Sequence, residues 1–151
     1  TIAGDMLKVL VAIIIAYAII GFSYFNSDYD IYIKSFAGFF CVIGHIYPCY
    51  FGFKGGKGVA TSGGMVLLID WRIGLILLAV FFVLLILFKM VSLGSVVMAA
   101  LYPILIFLFY HNVIATIIAG AFAVIVIYKH KDNLIRISKG TENKIGKKNK
   151  Q

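Results

Sequence analysis

Six apolar runs follow one another along the chain with only short polar or glycine-rich stretches between them, and this succession limits the folds open to the sequence. The runs cover residues 9–25, 33–53, 59–69, 73–88, 93–110 and 113–128. A helix needs about 20 apolar residues to cross the hydrocarbon core of a bilayer, and somewhat shorter segments can also cross. The sequence therefore predicts an all-α polytopic membrane bundle with six transmembrane helices.

The composition supports lipid as the solvent for much of the surface. Hydrophobic residues make up 62% of the 151 residues and charged residues only 13%. A soluble domain is usually about half apolar and about a quarter charged. The third run, 59–69, is short and rich in glycine, so we expect it to tilt, to thin the bilayer locally or to lie against other helices.

The distribution of cations predicts the orientation, because short cytoplasmic loops are enriched in Lys and Arg. With six crossings and Lys8 in the cytoplasm, every Lys and Arg falls in the cytoplasm except Lys34 and Arg72. Asp28 and His111 then lie outside. If the third run did not cross, all later segments would be inverted, so the charge pattern favours a crossing.

Eight of the 14 Lys and Arg residues lie between Lys129 and Gln151. The chain is thus predicted to consist of a membrane domain, residues 1–128, and a basic cytoplasmic segment, residues 129–151. Such a segment is typical of a juxtamembrane region near anionic lipid. It contains no Phe, Tyr or Trp on which bases could stack, so no nucleic-acid partner is expected.

The stretch FGFKGGKGVATSGG, Phe51–Gly64, interrupts the apolar series with glycines and two lysines. Glycine exposes backbone N–H groups that can form a nest for an anion, and a helix that follows adds its positive dipole end. A phosphate site at the cytoplasmic surface is one interpretation. A flexible turn whose glycines permit close helix packing is the other. The stretch does not fit the GxxxxGK[ST] pattern of nucleotide-binding loops.

Other polar residues are candidates for a functional site, but each also has an ordinary structural explanation. His45 lies inside a predicted span, where a histidine is either functional or bonded to a carbonyl of a neighbouring helix. His130 and Asn133 are three residues apart and would share a helix face. Ser92 and Ser95 have the same spacing, and serines between membrane helices often serve packing alone.

The spacing of polar residues along the sequence excludes several known catalytic and metal-binding motifs. The sequence has no HxxxxD, HExxH or GxSxG motif and no plausible set of metal ligands, so neither a metal nor a cofactor is expected. Cys41 and Cys49 do not form a CxxC pair and are interpreted as small apolar residues.

Four segments resemble segments of one known family. They occur in the same order as in that family, and the resemblance covers essentially the whole chain. GHIYPCYFGFKGGKGVAT (residues 44–61) resembles the second signature, and KHKDNLIRISKGTENKIG (residues 129–146) the C-terminal signature, of the bacterial membrane acyl phosphate:glycerol-3-phosphate acyltransferases. SLGSVVMAALYPI (residues 92–104) resembles the serine-containing segment between them, and GDMLK (residues 4–8) the start of the second span.

The resemblance also implies what precedes this sequence in a complete member. Family members open with a membrane span and an S-G-N-x-G-A-T-N signature followed by an arginine, which gives seven spans, and this chain aligns after them. We therefore expect an N-terminally truncated member, which inserts in membranes but by itself transfers little or no acyl group.

The implied reaction moves a long-chain acyl group from acyl phosphate to the 1-hydroxyl of glycerol 3-phosphate, giving 1-acylglycerol 3-phosphate and phosphate. The implied site has no dedicated base, so a phosphate oxygen of the donor would accept the hydroxyl proton. The residues that the resemblance implies are His130 and Asn133 in catalysis, Lys54, Gly55, Gly56, Lys57 and Gly58 with Ser92 or Ser95 in phosphate binding, and His45 and Glu142 in structural support.

The implied partners are acyl phosphate, glycerol 3-phosphate and membrane lipid, at the cytoplasmic face of the bacterial inner membrane; the oligomeric state is left open. Two alternatives belong to other classes: a membrane transporter of a phosphorylated solute, and an inactive remnant. Against a transporter, the chain shows no inverted repeat, and its polar motifs all lie on one predicted face.

Overall fold

The computed structural model describes residues 2–146, and its regular structure there consists of seven α-helices and two short 3₁₀ turns. Thr1 and residues 147–151, the end of the predicted basic segment, lie outside the described residues. The helices are α1 (Ile2–Ile20), α2 (Asp30–Ile46), α3 (Val59–Ile69), α4 (Trp71–Phe88), α5 (Val91–Tyr110), α6 (Val113–Lys129) and α7 (Lys131–Ser138), and the turns are Phe22–Tyr24 and Cys49–Phe51. The all-α prediction is confirmed.

Four segments are long and apolar enough to cross a membrane: Ala3–Ile20, Asp30–Phe51, Trp71–Phe88 and Val91–Tyr110. A fifth is present if α6 and α7, which meet at a bend of 60°, count as one span. α3 has 11 residues, so it is about 16 Å long, roughly half of the hydrocarbon thickness. Helix length in residues 2–146 therefore supports a membrane bundle with four or five spans.

The first two predicted runs are displaced from the observed helices. α1 begins before the run 9–25 because Asp5 and Lys8 pair with each other within the helix. It ends at Ile20, since Gly21 adopts a φ of 128°. α2 ends at Ile46, and Pro48 follows in an extended conformation, so the apolar residues up to Phe53 form a turn instead of helix.

α3 lies in the interior of the bundle, in contact with α1, α2 and α4. Small residues permit this close approach. A Cβ on Gly64 would lie 2.9 Å from Cα of Met6 in α1, and a Cβ on Gly38 in α2 would collide with the Met65 side chain. Of the three expectations for the short run, packing against other helices is the one that the contacts support.

The end of α3 is fixed to α4 and α5 by a buried carboxylate. Asp70 caps α4 by accepting from the backbone N of Arg72 at 2.8 Å, and its other oxygen accepts from the Arg72 guanidinium and the Tyr110 hydroxyl, each at 2.8 Å. Asn112 caps α6 in the same way, accepting from Ala115 N at 2.9 Å. These contacts lie at the end of the bundle opposite to the glycine loop.

Candidate active site

The glycine loop, residues 52–58, connects the turn after α2 to the start of α3 and lies against the end of α2. Gly52 and Phe53 both adopt the left-handed conformation, with φ values of 59° and 60°. The backbone N of Gly55 donates to Ile46 O at 3.1 Å. A Cβ on Gly55 would collide with the carbonyl oxygen of His45 and lie 2.6 Å from Pro48 Cδ. The absence of side chains therefore allows the loop to lie flat on the helix end.

Consecutive residues of this loop line two different cavities. The first, which we call the Lys57 cavity, has a volume of about 330 Å³ and is lined by Lys57, Ser92, His130, Asn133 and Glu142 together with apolar residues and the segment 143–145. The second, the His45 cavity, has a volume of about 390 Å³ and is lined by Lys8, His45, Gly55 and Gly56, with a mainly apolar wall.

Glu142 is the centre of the hydrogen-bond network in the Lys57 cavity. Its Oε1 accepts from Ser92 Oγ at 2.6 Å and from Asn133 Nδ2 at 2.7 Å, and its Oε2 accepts from Arg136 Nε at 2.8 Å. The donors belong to α5 and α7, so the carboxylate joins both helices to the C-terminal segment. Ser92, Asn133 and Glu142 are all buried.

The same network sets the charge of Glu142. Burial by itself would raise the pKa of this carboxyl, but the hydrogen bonds from Ser92, Asn133 and Arg136, with the positive charge of Arg136, outweigh burial and lower the pKa below its ordinary value. Glu142 is therefore ionised at neutral pH and acts only as an acceptor.

The orientation of Asn133 follows from this charge. Because its amide nitrogen donates to Glu142, its amide oxygen faces the loop and accepts from Lys57 Nζ at 2.5 Å. Lys57 is thereby held over the cavity by an acceptor that carries no charge. Within residues 2–146 its other N–H groups make no hydrogen bond, which leaves them for an anionic ligand.

His130 occupies the bend between α6 and α7 and is 1% exposed. Its Nδ1 lies 2.8 Å from Val126 O. A carbonyl can only accept, so Nδ1 carries the proton and Nε2 is the basic nitrogen of the neutral ring. Burial lowers the pKa of His130, and the charge of Lys57 acts in the same direction; the Val126 hydrogen bond and Glu142 oppose them without cancelling the decrease.

Three other residues that were expected to bind phosphate, Lys54, Gly58 and Ser95, do not line the Lys57 cavity. Ser95 is bonded to Val91 O at 2.9 Å and lines a separate apolar cavity of about 30 Å³. Lys54 is exposed and lines neither cavity in the described part of the chain. Gly58 caps α3 with a φ of 76°, and a Cβ there would lie 3.2 Å from Ile46. Of the two serines, Ser92 is the one in the Lys57 cavity.

Sequence reasoning missed several residues of the site. Asp5 and Lys8 meet His45, and their spacing of three within an apolar helix was a usable signal for a partly buried ion pair. Arg136 reaches Glu142 because Gly140, with a φ of 69°, reverses the chain after α7. The wall formed by residues 143–145 has no local signal, since it depends on the bond from Ile145 N to Lys89 O at 2.8 Å.

The fold and the site define a helical membrane protein with clustered polar residues at one end of its bundle. The model of the glycerol-3-phosphate acyltransferase family matches residues 1–140, and the chain belongs to this family. The resemblance inferred from the motifs is thereby confirmed.

Curated relatives agree with this assignment. The glycerol-3-phosphate acyltransferase of Thiobacillus denitrificans is 35% identical over 148 residues, which cover 98% of this chain and 72% of the relative. The enzyme of Brucella anthropi is 39% identical over 148 residues, which cover 98% of this chain and 68% of the relative. The relative from Jannaschia sp. aligns over 111 residues with 40% identity, covering 74% of this chain and 54% of its own length.

Two solved structures share the fold. Both are crystal structures of PlsY, an integral membrane glycerol 3-phosphate acyltransferase, and both are 31% identical to this chain with a TM-score of 0.79. The glycerol 3-phosphate form covers 94% of this chain and 68% of the solved chain. The match to the lysophosphatidic acid form covers 94% of this chain and 69% of the solved chain. This likeness confirms that the chain is a multi-pass integral membrane protein.

Proposed function

We propose that this chain forms the acyl-transfer site of a glycerol-3-phosphate acyltransferase that uses a long-chain acyl phosphate as donor. The observation that carries the proposal is the convergence of Lys57, Ser92, His130 and Asn133 on one cavity in a member of this family. A cation and an amide donor beside a cavity suit phosphate oxygens.

In the proposed reaction, the 1-hydroxyl oxygen of glycerol 3-phosphate attacks the carbonyl carbon of the acyl phosphate. The ester C–O bond forms, and the bond from that carbon to the phosphate oxygen breaks. Phosphate leaves with the electron pair and accepts the hydroxyl proton. The products are 1-acylglycerol 3-phosphate and inorganic phosphate.

The side chains act on this reaction by position and charge, because the donor is already activated. Lys57 donates to phosphate oxygens, while the Ser92 hydroxyl, whose one proton is donated to Glu142, holds that carboxylate in place. The neutral His130 offers Nε2 as an acceptor for the 2-hydroxyl of glycerol 3-phosphate, which orients the 1-hydroxyl for attack. Asn133 and Glu142 keep Lys57 and Ser92 in place through the hydrogen bonds described above.

The membrane arrangement of the proposal has six spans in this chain, with α3 as the short one, and both cavities on the cytoplasmic side of the bacterial inner membrane. Polar groups at both ends of α3 support a crossing: the lysine-containing loop precedes it, and Asp70 with Arg72 follows it. Packing against three helices supports a locally thin bilayer around α3. The positive-inside pattern supports the orientation.

An acyl-transfer assay tests the proposal. It uses the protein produced from its complete gene and placed in lipid nanodiscs. Radiolabelled glycerol 3-phosphate is supplied with a long-chain acyl phosphate or with the matching acyl thioester. We expect labelled lysophosphatidate with the acyl phosphate only, and at least a 100-fold lower rate in Asn133→Ala. The exposed neighbour Asp132→Asn is the matched control. Product formation from the thioester alone, or no product from either donor, would contradict the proposal.

A further inference from the structure

An exposed apolar stripe on α6 leads to the end of the bundle that carries the Lys57 cavity. Ile117, Val124 and Tyr128 are 65%, 68% and 59% exposed. Their spacings of seven and four place them on one face of the helix. In a multi-pass membrane protein such a stripe faces lipid, so Tyr128 is the last lipid-facing residue of α6.

Two lysines lie at the end of this stripe, and each covers a tyrosine ring. Lys131 Nζ is 5.0 Å from the ring centroid of Tyr128, and Lys129 Nζ is 4.0 Å from that of Tyr47 in α2. Tyrosine and lysine together are typical of the boundary between hydrocarbon and headgroups. Within residues 2–146 neither lysine forms an ion pair with a carboxylate. Their charges are therefore available to an anion in the membrane.

The bend of 60° between α6 and α7 keeps the first turn of α7 near the membrane surface. α7 has eight residues, so its far end lies about 6 Å further from the bilayer than its start when α6 runs along the membrane normal. Ile135 follows Lys131 by one turn and is 50% exposed. We call Tyr128, Lys129, Lys131 and Ile135 the α7 patch.

The opposite face of α7 carries a residue of the Lys57 cavity. Asn133 follows Lys131 by two positions, which is about 200° around the helix. It is buried and bonded to Lys57 and Glu142. A helix of eight residues is not stable alone in water, so contacts on both faces determine where α7 lies. A ligand of the α7 patch therefore also acts on the position of Asn133.

We propose that the α7 patch binds the headgroup phosphate of an anionic membrane lipid, and that this contact increases the rate of acyl transfer. Lys129 and Lys131 attract the phosphate, while Tyr128 and Ile135 lie beside the first part of the lipid chains. A zwitterionic headgroup also carries a cation, which the lysines repel, so the patch favours a lipid of net negative charge. The effect on the rate rests on the proposed function, whereas lipid binding does not.

Fluorescence quenching by brominated lipids tests the binding step without acyl transfer. The protein produced from its complete gene carries Tyr128→Trp in a background without other tryptophans, which requires Trp71→Phe. It is placed in nanodiscs of equal parts phosphatidylglycerol and phosphatidylcholine, with one of the two lipids brominated in its chains. We expect brominated phosphatidylglycerol to quench at least twice as strongly as brominated phosphatidylcholine, and Lys131→Gln to make the two equal.

A second position provides the control for this quenching. Phe82 is 53% exposed in α4, and Phe82→Trp in the same background should be quenched equally by both lipids. Equal quenching of Tyr128→Trp by both lipids would overturn the proposal.

Acyl-transfer rates in nanodiscs of different composition test the regulation. We expect the rate to be at least fivefold higher with equal parts of the two lipids than with phosphatidylcholine alone. Lys131→Gln should remove most of this increase, and Lys131→Arg should retain it because it keeps the charge. Lys139→Gln, an exposed lysine at the far end of α7, is the matched control and should also retain it. Equal losses in the two glutamine variants would contradict a specific patch.

The combination of the two measurements separates this inference from the proposed function. If quenching is selective but no acyl group is transferred in any lipid, the proposed function fails and the lipid site stands. If transfer proceeds at the same rate in both lipid compositions, the regulation is refuted while the proposed function stands.

Discussion

The ammonium of Lys57 donates a hydrogen bond to the amide oxygen of Asn133, although the two residues are 76 positions apart in the sequence. The bond links the glycine loop to α7, and both residues line the Lys57 cavity. It exists because Glu142 occupies the other end of the amide. The position of the cation in the loop therefore depends on a carboxylate in the C-terminal segment.

Removal of the charge of Glu142 should loosen this end of the bundle. In Glu142→Gln, Arg136 loses its ion pair, and the new NH2 group is a donor where an oxygen accepted from Ser92, Asn133 or Arg136. Because these groups are buried, we expect a loss of about 1–3 kcal/mol in unfolding free energy. Thermal unfolding in detergent measures it. The exposed Asp132→Asn should change stability by less than about 0.5 kcal/mol, and equal effects of the two variants would contradict the role of Glu142.

Loss of the Lys57 ammonium should act on the reaction more than on the fold. We expect Lys57→Met to lower kcat/KM by about 100-fold, the typical effect of removing one donor from a transition-state site. Steady-state kinetics with the acyl phosphate measures the change, and an unchanged melting temperature shows that the fold is intact. Lys139→Met removes an exposed lysine at the end of α7 and serves as the control. A loss below about threefold for Lys57→Met would remove this residue from the site.

The sequence identified this lysine only as one of two. Lys54 and Lys57 lie in the same loop, and the difference between them comes from the backbone: left-handed residues at Gly52, Phe53 and Gly58 determine which side chain faces the cavity. Such turns depend on contacts with the end of α2, which no local pattern encodes. Ser92 and Ser95 were equally indistinguishable, because the partner that distinguishes them, Glu142, is 50 residues from Ser92.

The helices were more predictable, because apolar periodicity is a local property. The run 59–69 coincides with α3, and the run 113–128 ends one residue before α6 does. The errors occur where a polar pair or a proline overrides apolarity, as at Asp5 with Lys8 and at Pro48. The number of spans could not be obtained from helix length alone, since α3 is short and packs on three other helices.

The protonation of His130 should give stability a dependence on pH on the acid side. The pKa of His130 in the folded protein lies below its ordinary value of 6.5, so the unfolded chain binds the proton first as the pH falls. Stability is therefore full above about pH 6.5 and decreases below it until the folded pKa is reached. His130→Asn keeps a donor for Val126 O and removes the titration, so melting temperatures between pH 8 and 5 should fall less steeply.

A wild-type slope that His130→Asn does not reduce would contradict the lowered pKa. Activity should also decrease toward low pH, because a protonated Nε2 can no longer accept the glycerol hydroxyl.

Close packing of α3 predicts opposite outcomes for adjacent glycines. In Gly64→Ala the new Cβ would lie 2.9 Å from the backbone of Met6, so α1 and α3 must separate. Overpacking of this kind typically costs about 1–3 kcal/mol. Gly63→Ala meets no atom within 4 Å and should be neutral or slightly stabilising, since alanine favours helix. Thermal unfolding of both variants compares the two sites, and equal stability would show that α3 is not closely packed on α1.

Cysteine accessibility decides whether α3 crosses the membrane. Single cysteines replace the exposed residues Asp28, His111 and Lys139 in a background of Cys41→Ala and Cys49→Ala, and intact cells are treated with a membrane-impermeant thiol reagent. With six spans and Lys8 inside, the connections that contain Asp28 and His111 lie outside and Lys139 lies inside, so only the first two sites should react. If α3 entered and left on the same side, every later helix would be inverted, so that Lys139 would react and His111 would not. Labelling of Asp28 and Lys139 without His111 would therefore show that α3 does not cross, and would separate the C-terminal half of the Lys57 cavity from the loop that supplies Lys57.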